Sequence, residues 1–352
     1  MADQPIPKGN GARPTMKDVA ALAGVSLKTV SRVINDEQTV DPRLQALVRA
    51  AAESLHYLPD MGARSLRRLD RRSSTIAVLL EDLSNPFSAT VLRAIEEVAG
   101  THGYSVIGGS LDEDVARERS MAVMMARHRV DGMIIAPASD DQSHLAVEQR
   151  AGVALVFVDR PPQGLTADCV VSSSRDGTAG AVRQLLLRGH RRIAFLGDLR
   201  QITTEMEREQ GYRDALSEFD VEPSPSLVAR NLRTADAAAE AVGRMLTLAE
   251  PPTAVFASQN LLTMGSVRAL QAAGRQHDVA LVGFDDFPMA DLLDPAVTVV
   301  TQDVVAIGRQ AAALLFRRIE GDDSPAELRV VETGFIPRGS GEIAPHPPRR
   351  SS

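Results

Sequence analysis

The sequence predicts an α/β protein in which parallel sheet is covered by helices on both faces, preceded by a small helix-turn-helix module. From Thr75 onward, continuous apolar runs of strand length alternate with amphipathic helical segments, the sequence form of a buried parallel sheet. Before it, Thr15 to Asn35 (TMKDVAALAGVSLKTVSRVIN) reads as two short helices around a tight turn. Charge divides the same way: residues 1 to 72 carry net +4 and the remainder net −11, within a total of −7.

Taken in order, residues 1–14 (MADQPIPKGNGARP) are rich in Pro and Gly, lack periodicity and are expected to be a disordered tail. Thr15 can N-cap the first helix with Asp18 closing a capping box, and Val19, Ala20, Leu22 and Ala23 supply its buried face. Gly24 can take the positive φ of a helix C-terminus, and Ser26 immediately offers the next N-cap. In the second helix Val30, Val33 and Ile34, with Val25 before it, face a small core. Leu27, Lys28, Thr29, Ser31 and Arg32 are left pointing outward. Such a pair places its second helix in a DNA major groove, although a small amphipathic pair can equally be part of a bundle. The outward set suits DNA. Arg and Lys can donate to guanine O6 and N7, Leu can meet a thymine methyl, and Thr29 and Ser31 suit phosphates. Asp41 and Pro42 form an N-cap and N1 pair for a third helix, RLQALVRAAAESLHY, and the basic charge sits where phosphates would be.

After the third helix come Tyr57-Leu58-Pro59 and DMGARSLRR. Met16 to Ala20, Val25-Ser26, Thr29 to Asn35, Tyr57, Pro59 and Ala63 to Leu66 together resemble the lactose-repressor (LacI/GalR) family of bacterial transcription regulators. The resemblance implies DNA contacts by Leu27, Lys28, Thr29, Ser31, Arg32, Asn35, Tyr57, Ala63 and Leu66. In the family the last segment is a hinge that becomes helical on operator DNA, and Leu66 would be its minor-groove wedge. Asp60 stands where the family usually has Asn, and Gly62 lowers intrinsic helicity by about 1 kcal/mol relative to Ala. Both suit a helix formed only on DNA. The module is thus expected over 15–58, and a hinge and charged linker over 59–74.

The alternation then runs TIAVLLE, NPFSATVLRAIEEVAGTHG, YSVIGGS, VARERSMAVMMARH, VDGMIIAP, ALVFVDR, CVVSS, a helix near 177–188, RIAFLGD, a helix near 205–219, TAVFAS, a helix near 261–273, and VALVGFDD. The resemblance implies that this 75–340 region is two-lobed, like periplasmic sugar-binding proteins, with three crossings between lobes. Lobe one is expected over about 75–188 and 301–325. Lobe two is expected over about 189–300 and 326–340, including the strand ELRVVETGFIPR, with a second disordered tail over 341–352.

Ligands in such folds sit beyond the carboxyl ends of strands. Asn85-Pro86-Phe87 matches the family's cleft loop, although an ordinary turn with proline at N1 has the same form. Asp176-Gly177-Thr178, by its spacing to Gly189-His190, matches a position that touches sugar hydroxyls; an acid favoured by the helix dipole is the alternative. Arg208, three residues before Gly211-Tyr212, and Asp285, ending VALVGFDD, match ligand-binding positions. Carboxylates and a guanidinium suit a polyhydroxylated ligand through charge-assisted hydrogen bonds. Gln259-Asn260 stands where the family usually has Asn-Asp, and Ser172 to Arg175 replaces a common Asp-Asn pair, so the ligand of a relative does not transfer.

Enzymatic readings find little support. Gly9-Asn10-Gly11 follows no strand, no Walker A motif is present, and the seven histidines lack metal-ligand spacing. Cys169, the single cysteine, sits on an apolar strand and can form no internal disulfide. With no leader or transmembrane run, a cytoplasmic location is expected. The combined expectation is a homodimeric, cofactor-free repressor of near-palindromic operator DNA, controlled by a small molecule, a sugar or sugar derivative. Lack of a heptad pattern after Arg338 favours a dimer over a tetramer. A sugar-binding protein without a DNA role and a ligand-insensitive DNA-binding regulator are the alternatives.

Overall fold

The computed structural model describes residues 14–34, 40–57 and 72–345, and the chain forms two units, one up to Ser73 and one from Ser74 onward. The first contains α1 (Met16–Ala23), α2 (Leu27–Ile34) and α3 (Pro42–Ser54). The Thr15 amide donates to Asp18 Oδ2 at 2.7 Å, closing the capping box. Gly24 takes φ 66° to end α1, and the Thr29 amide donates to Ser26 Oγ at 3.1 Å to start α2. Asp41 Oδ1 caps α3 through the Arg43 amide, 2.8 Å. Val19, Val30, Val33, Val40, Val48 and Ala51 make the buried core. Leu22 does not join it and is 53% exposed. At about 100° per residue, the face shared by Met16, Val19, Ala20 and Ala23 leaves Leu22 about a third of a turn away, so the expected burial of Leu22 is wrong.

The second unit holds two six-stranded sheets. Sheet A has the order β11-β5-β4-β3-β1-β2, from β1 (Thr75–Leu80), β2 (Ser105–Ser110), β3 (Gly132–Ile135), β4 (Ala154–Val158), β5 (Asp168–Ser172) and β11 (Leu328–Val331). Its pairings are all parallel. Sheet B has the order β12-β10-β9-β8-β6-β7, from β6 (Ile193–Leu196), β7 (Val228–Ala229), β8 (Ala254–Ala257), β9 (Ala280–Phe284), β10 (Thr298–Gln302) and β12 (Thr333–Ile336). Only β12, antiparallel to β10, breaks its parallel run.

The helices are α4 (Pro86–Thr101), α5 (Val115–Arg127), α6 (Ala146–Arg150), α7 (Ser174–Leu187), α8 (Thr203–Glu218), α9 (Ala235–Leu246), α10 (Asn260–Ala272) and α11 (Val304–Ile319). Strand alternation sorts the core by face. Ile76, Val78 and Leu80 meet Val91 and Ile95 of α4 and Ala311 and Leu315 of α11, while Ala77 and Leu79 meet Ala122 and Met125 of α5. In sheet B, Leu196, Ala257 and Leu281 pack on α9 and α10. Phe195, Phe256 and Phe284 pack on Val182 and Leu185 of α7 and Tyr212 and Leu216 of α8. Each such Val, Leu, Ile, Phe or Met side chain contributes about 1.5–3 kcal/mol by leaving water. This burial on both faces is why the strands read as unbroken apolar runs.

Three sequence-based boundaries need correction. Helix α7, expected in lobe one, packs on lobe two: Gly177 and Gly211 let it lie tight against β12 and α8, since a Cβ on Gly211 would fall 2.2 Å from the Arg175 carbonyl oxygen. The strand expected wholly in lobe two is split, β11 pairing with β5 in sheet A and β12 with β10 in sheet B. Residues 341–345, expected in a tail, are placed against lobe two, with Gly341 N donating to Thr298 Oγ1 at 3.0 Å and the Ile343 carbonyl 2.8 Å from His190 Nε2.

The lobes therefore connect after β5, after β10 and between β11 and β12. These crossings touch one another. The Thr333 amide donates to Ser173 Oγ at 2.9 Å, the Ser173 amide donates to the Val331 carbonyl at 3.1 Å, and Ser172 Oγ donates to Gln302 Oε1.

Candidate functional site

Between the lobes lies a pocket enclosing about 600 Å3, including its open mouth. It is built at the carboxyl ends of strands, where the fold leaves loops and helix N-termini free of core packing. Asp159 and Asp285 occupy equivalent places in the two lobes. Each follows a central strand, β4 or β9, with positive φ (69° and 68°), and each amide donates across to the next strand, at the Val170 and Val300 carbonyls.

Arg208 is the central cation. It rises from α8, is 7% exposed, and holds its guanidinium carbon 3.9 Å from the centre of the Phe284 ring while Nη1 donates to the Ser258 carbonyl at 2.8 Å. Its Nε is buried without a hydrogen-bond partner. Asp285 is half-buried, its desolvation raises the carboxyl pKa, and the field of Arg208 and a 2.6 Å bond from Gln302 Nε2 offset part of that cost. Glu205, one turn before Arg208, is pushed up to about 7 by burial; Oε2 accepts from Ser258 Oγ, while Oε1 lies over Gly197 without a partner.

Asn85 caps α4 through the Phe87 amide at 3.0 Å, and its Oδ1 also accepts from Asn260 Nδ2 at 2.9 Å, a direct bond between lobes. Gln259 caps α10 and donates through Nε2 to Asp198 Oδ2 at 2.8 Å. Leu80, Phe87, Ala136 and Ile202 supply an apolar lining beside these polar groups. A site with apolar patches and converging donors and acceptors fits a ring carrying hydroxyls.

Of the residues singled out from sequence, Asn85, Phe87, Arg208, Gln259 and Asp285 are brought together here. Asp176 is not. It is exposed in the first turn of α7, beside the Arg175 to Asp214 ion pair, and the buried face of that helix serves packing instead. His190, used in the same spacing argument, is fully buried between Thr253 Oγ1 (2.9 Å) and the Ile343 carbonyl. The sequence reading also passed over Glu81, Asp159, Arg160, Asp198, Glu205 and Gln302, all lining the pocket. A signal was present: Glu81 and Asp159 directly follow β1 and β4, and Asp198 follows β6 by one glycine.

In the first unit, Leu27 and Lys28 are exposed on the opening turn of α2, while Thr29, Ser31 and Arg32 are half-buried. Thr29 Oγ1 lies 2.9 Å from Ser26 Oγ, so its hydroxyl is also engaged in the local cap. Tyr57 is half-buried against the module core, its amide donating to the Ala52 carbonyl at 2.8 Å. Asn35, Ala63 and Leu66 lie outside the described residues.

A helix-turn-helix unit joined to a two-lobed, periplasmic-binding-protein-like domain defines a class of protein: a DNA-binding transcription regulator with a ligand cleft. Residues 15–60 match the bacterial regulatory proteins, lacI family, and residues 182–341 match a periplasmic binding protein-like domain. The HTH-type transcriptional regulator CelR of Thermobifida fusca is 33% identical over 339 residues, spanning 94% of this chain and 98% of CelR. The HTH-type transcriptional repressor CytR of Escherichia coli K12 is 29% identical over 94% of this chain and 97% of its own. Among solved structures, a lac repressor dimer bound to operator and the anti-inducer ONPF superposes with a TM-score of 0.82 at 26% identity, covering 94% of this chain and 99% of that one. A CelR–cellobiose complex gives 0.69 at 31% identity over 94% and 100%. The chain belongs to the lacI family of bacterial regulatory proteins and is a DNA-binding transcription regulator. Among the described residues no helix is long and apolar enough to cross a membrane.

Proposed function

We propose that the protein is a homodimeric repressor that reads a near-palindromic operator and whose grip on it is set by a carbohydrate bound between the lobes. The observation that carries the effector half is Arg208: a buried guanidinium, stacked on Phe284, facing Asp285, lining a polar pocket with its Nε buried and unpartnered. An unsatisfied buried donor costs about 1–3 kcal/mol, which a ligand oxygen would recover. Asn85, Gln259, Asp285 and Phe87 complete the effector contacts, and Asp159 joins them on geometry. Support for the chemistry comes also from the CelR–cellobiose complex among structural neighbours. Leu27, Lys28 and Arg32 read bases, Thr29 and Ser31 hold phosphates, and Asn35, Tyr57, Ala63 and Leu66 add the hinge-side contacts.

A ligand shifts this equilibrium only through different affinities for two lobe arrangements, and coupling of about 1–3 kcal/mol suffices. The hinge hydrogen bonds around Ser173, Gln302 and Thr333 are the elements such a change would pivot on. The test is fluorescence anisotropy on operator DNA from the protein's own promoter region, with and without members of a sugar panel first screened by thermal shift. A sugar that raises the melting temperature and changes operator affinity at least fivefold supports the reading. A sugar that stabilises without changing operator affinity would make the protein a ligand-insensitive regulator.

A further inference from the structure

Five carboxylates line the pocket, Glu81, Asp159, Asp198, Glu205 and Asp285, against two guanidinium groups, those of Arg160 and Arg208. Arg160 is committed. Arg160 forms a two-pronged pair with Glu113, bonds the Pro137 carbonyl at 2.9 Å and keeps Nε 3.4 Å from Asp159. Arg208 lies on the Asp285 side, and its field also reaches Glu205. Arg233, whose field reaches Asp198, donates its Nη2 to the Asp112 carbonyl at 3.2 Å. What remains is an acidic end of the pocket drawn from both lobes. The Glu81 carboxylate, from lobe one, makes no hydrogen bond or ion pair among the described residues. Asp198, from lobe two, is served only by neutral donors, the Leu199 amide at 2.7 Å and Gln259 Nε2. Glu205 Oε1, on a side chain 3% exposed, has no partner.

Resting on the carbohydrate reading, we propose that the effector is an amino sugar whose ammonium group is held between Glu81 of lobe one and Asp198 and Glu205 of lobe two. Sugar hydroxyls could satisfy the hydrogen bonds of these groups but would leave their negative charges facing each other in a closing, water-poor cleft. An ammonium group offers three donors and one compensating charge. Burial and the neighbouring acid Glu113, against the field of Arg160, push the Glu81 carboxyl up to about 7.

The test is isothermal titration of the full-length protein at pH 7.5 with two matched series: glucose, N-acetylglucosamine and glucosamine, and the disaccharides cellobiose, diacetylchitobiose and chitobiose. The free-amine member of at least one series is expected to bind ten times or more tighter than its acetylated and hydroxyl counterparts. Glu81→Gln and Asp198→Asn each reduce that preference to about twofold or less, with smaller changes for the neutral sugars. Neutral members binding as tightly as the amine would overturn the amino-sugar assignment and leave the carbohydrate reading standing. Binding by no member would overturn both.

Discussion

Glu205→Gln isolates one charge and predicts how its removal changes stability with pH. The Glu205 carboxyl is 3% exposed, satisfied on one oxygen by Ser258, and pushed by burial from 4.5 to about 7. The sign follows directly. Between pH about 4.5 and about 7 the unfolded chain has released this proton and the folded one keeps it, so stability falls as pH rises, and above 7 the full cost is present. A shift from 4.5 to about 7 corresponds to a cost of about 3 kcal/mol at pH 8. Glutamine keeps the shape and the acceptor for Ser258 but has no charge to bury. His190, whose burial lowers its pKa, works in the opposite direction below about 6.5. That contribution cancels when variant and wild type are compared at each pH. The assay is urea unfolding at pH 5, 6, 7 and 8. The stability of the variant relative to wild type should climb by about 2.5 kcal/mol from pH 5 to pH 8, roughly 5 °C in melting temperature. A difference that stays flat over this range would show that the burial cost assigned to Glu205 is wrong.

Other substitutions probe the remaining assignments. Arg208→Lys keeps a charge but loses the planar stack on Phe284 and the presented Nε; effector affinity should fall by about 2–3 kcal/mol with operator affinity unchanged, and equal affinity in calorimetry would remove Arg208 from the ligand site. Arg32→Ala should weaken operator binding by about 1–3 kcal/mol and relax preference at one base pair, so an unaltered profile in a binding-site selection would contradict the base-reading role. Gly211→Ala, which in an open helix would stabilise, should here cost at least about 2 kcal/mol because the new Cβ meets the Arg175 backbone; a melting temperature at or above wild type would refute that tight packing of α7 on α8. Gln302→Leu removes the donor to Asp285 and the acceptor from Ser172. It should weaken the effector's influence on operator affinity more than operator affinity itself, as anisotropy with and without effector would measure.

Much of this architecture could be read from residues alone. The caps use local rules: Ser26 and Asp41 accept from helix amides as expected, and α1 starts through Asp18, which accepts from the Thr15 amide and hydroxyl. Strands such as TIAVLL announce themselves because both faces are buried. Which sheet an element joins is a non-local fact, and there the reading failed: the periodicity of α7 is the same whichever lobe it covers, and LRVVETGFI shows no break at Glu332 where it changes sheets. Two-residue β7 is too short to carry any pattern. In the pocket, Arg208 and Asp285 are marked by their match to the family's ligand-binding positions, whereas Glu81, Asp159 and Asp198 stand equally at strand ends without such a match. Asp176 misled because a first-turn acid satisfies the helix dipole wherever the helix lies.

The split strand has a consequence for how the protein is made. Sheet A begins at Thr75 but is not closed at its edge until Val331, and sheet B gains its antiparallel edge only a few residues later. A ribosome must therefore release nearly the whole domain before either lobe has its full complement of hydrogen bonds. Until then the half-built lobes expose the edges of β5 and β10 together, in a nascent chain long enough for chaperones to find.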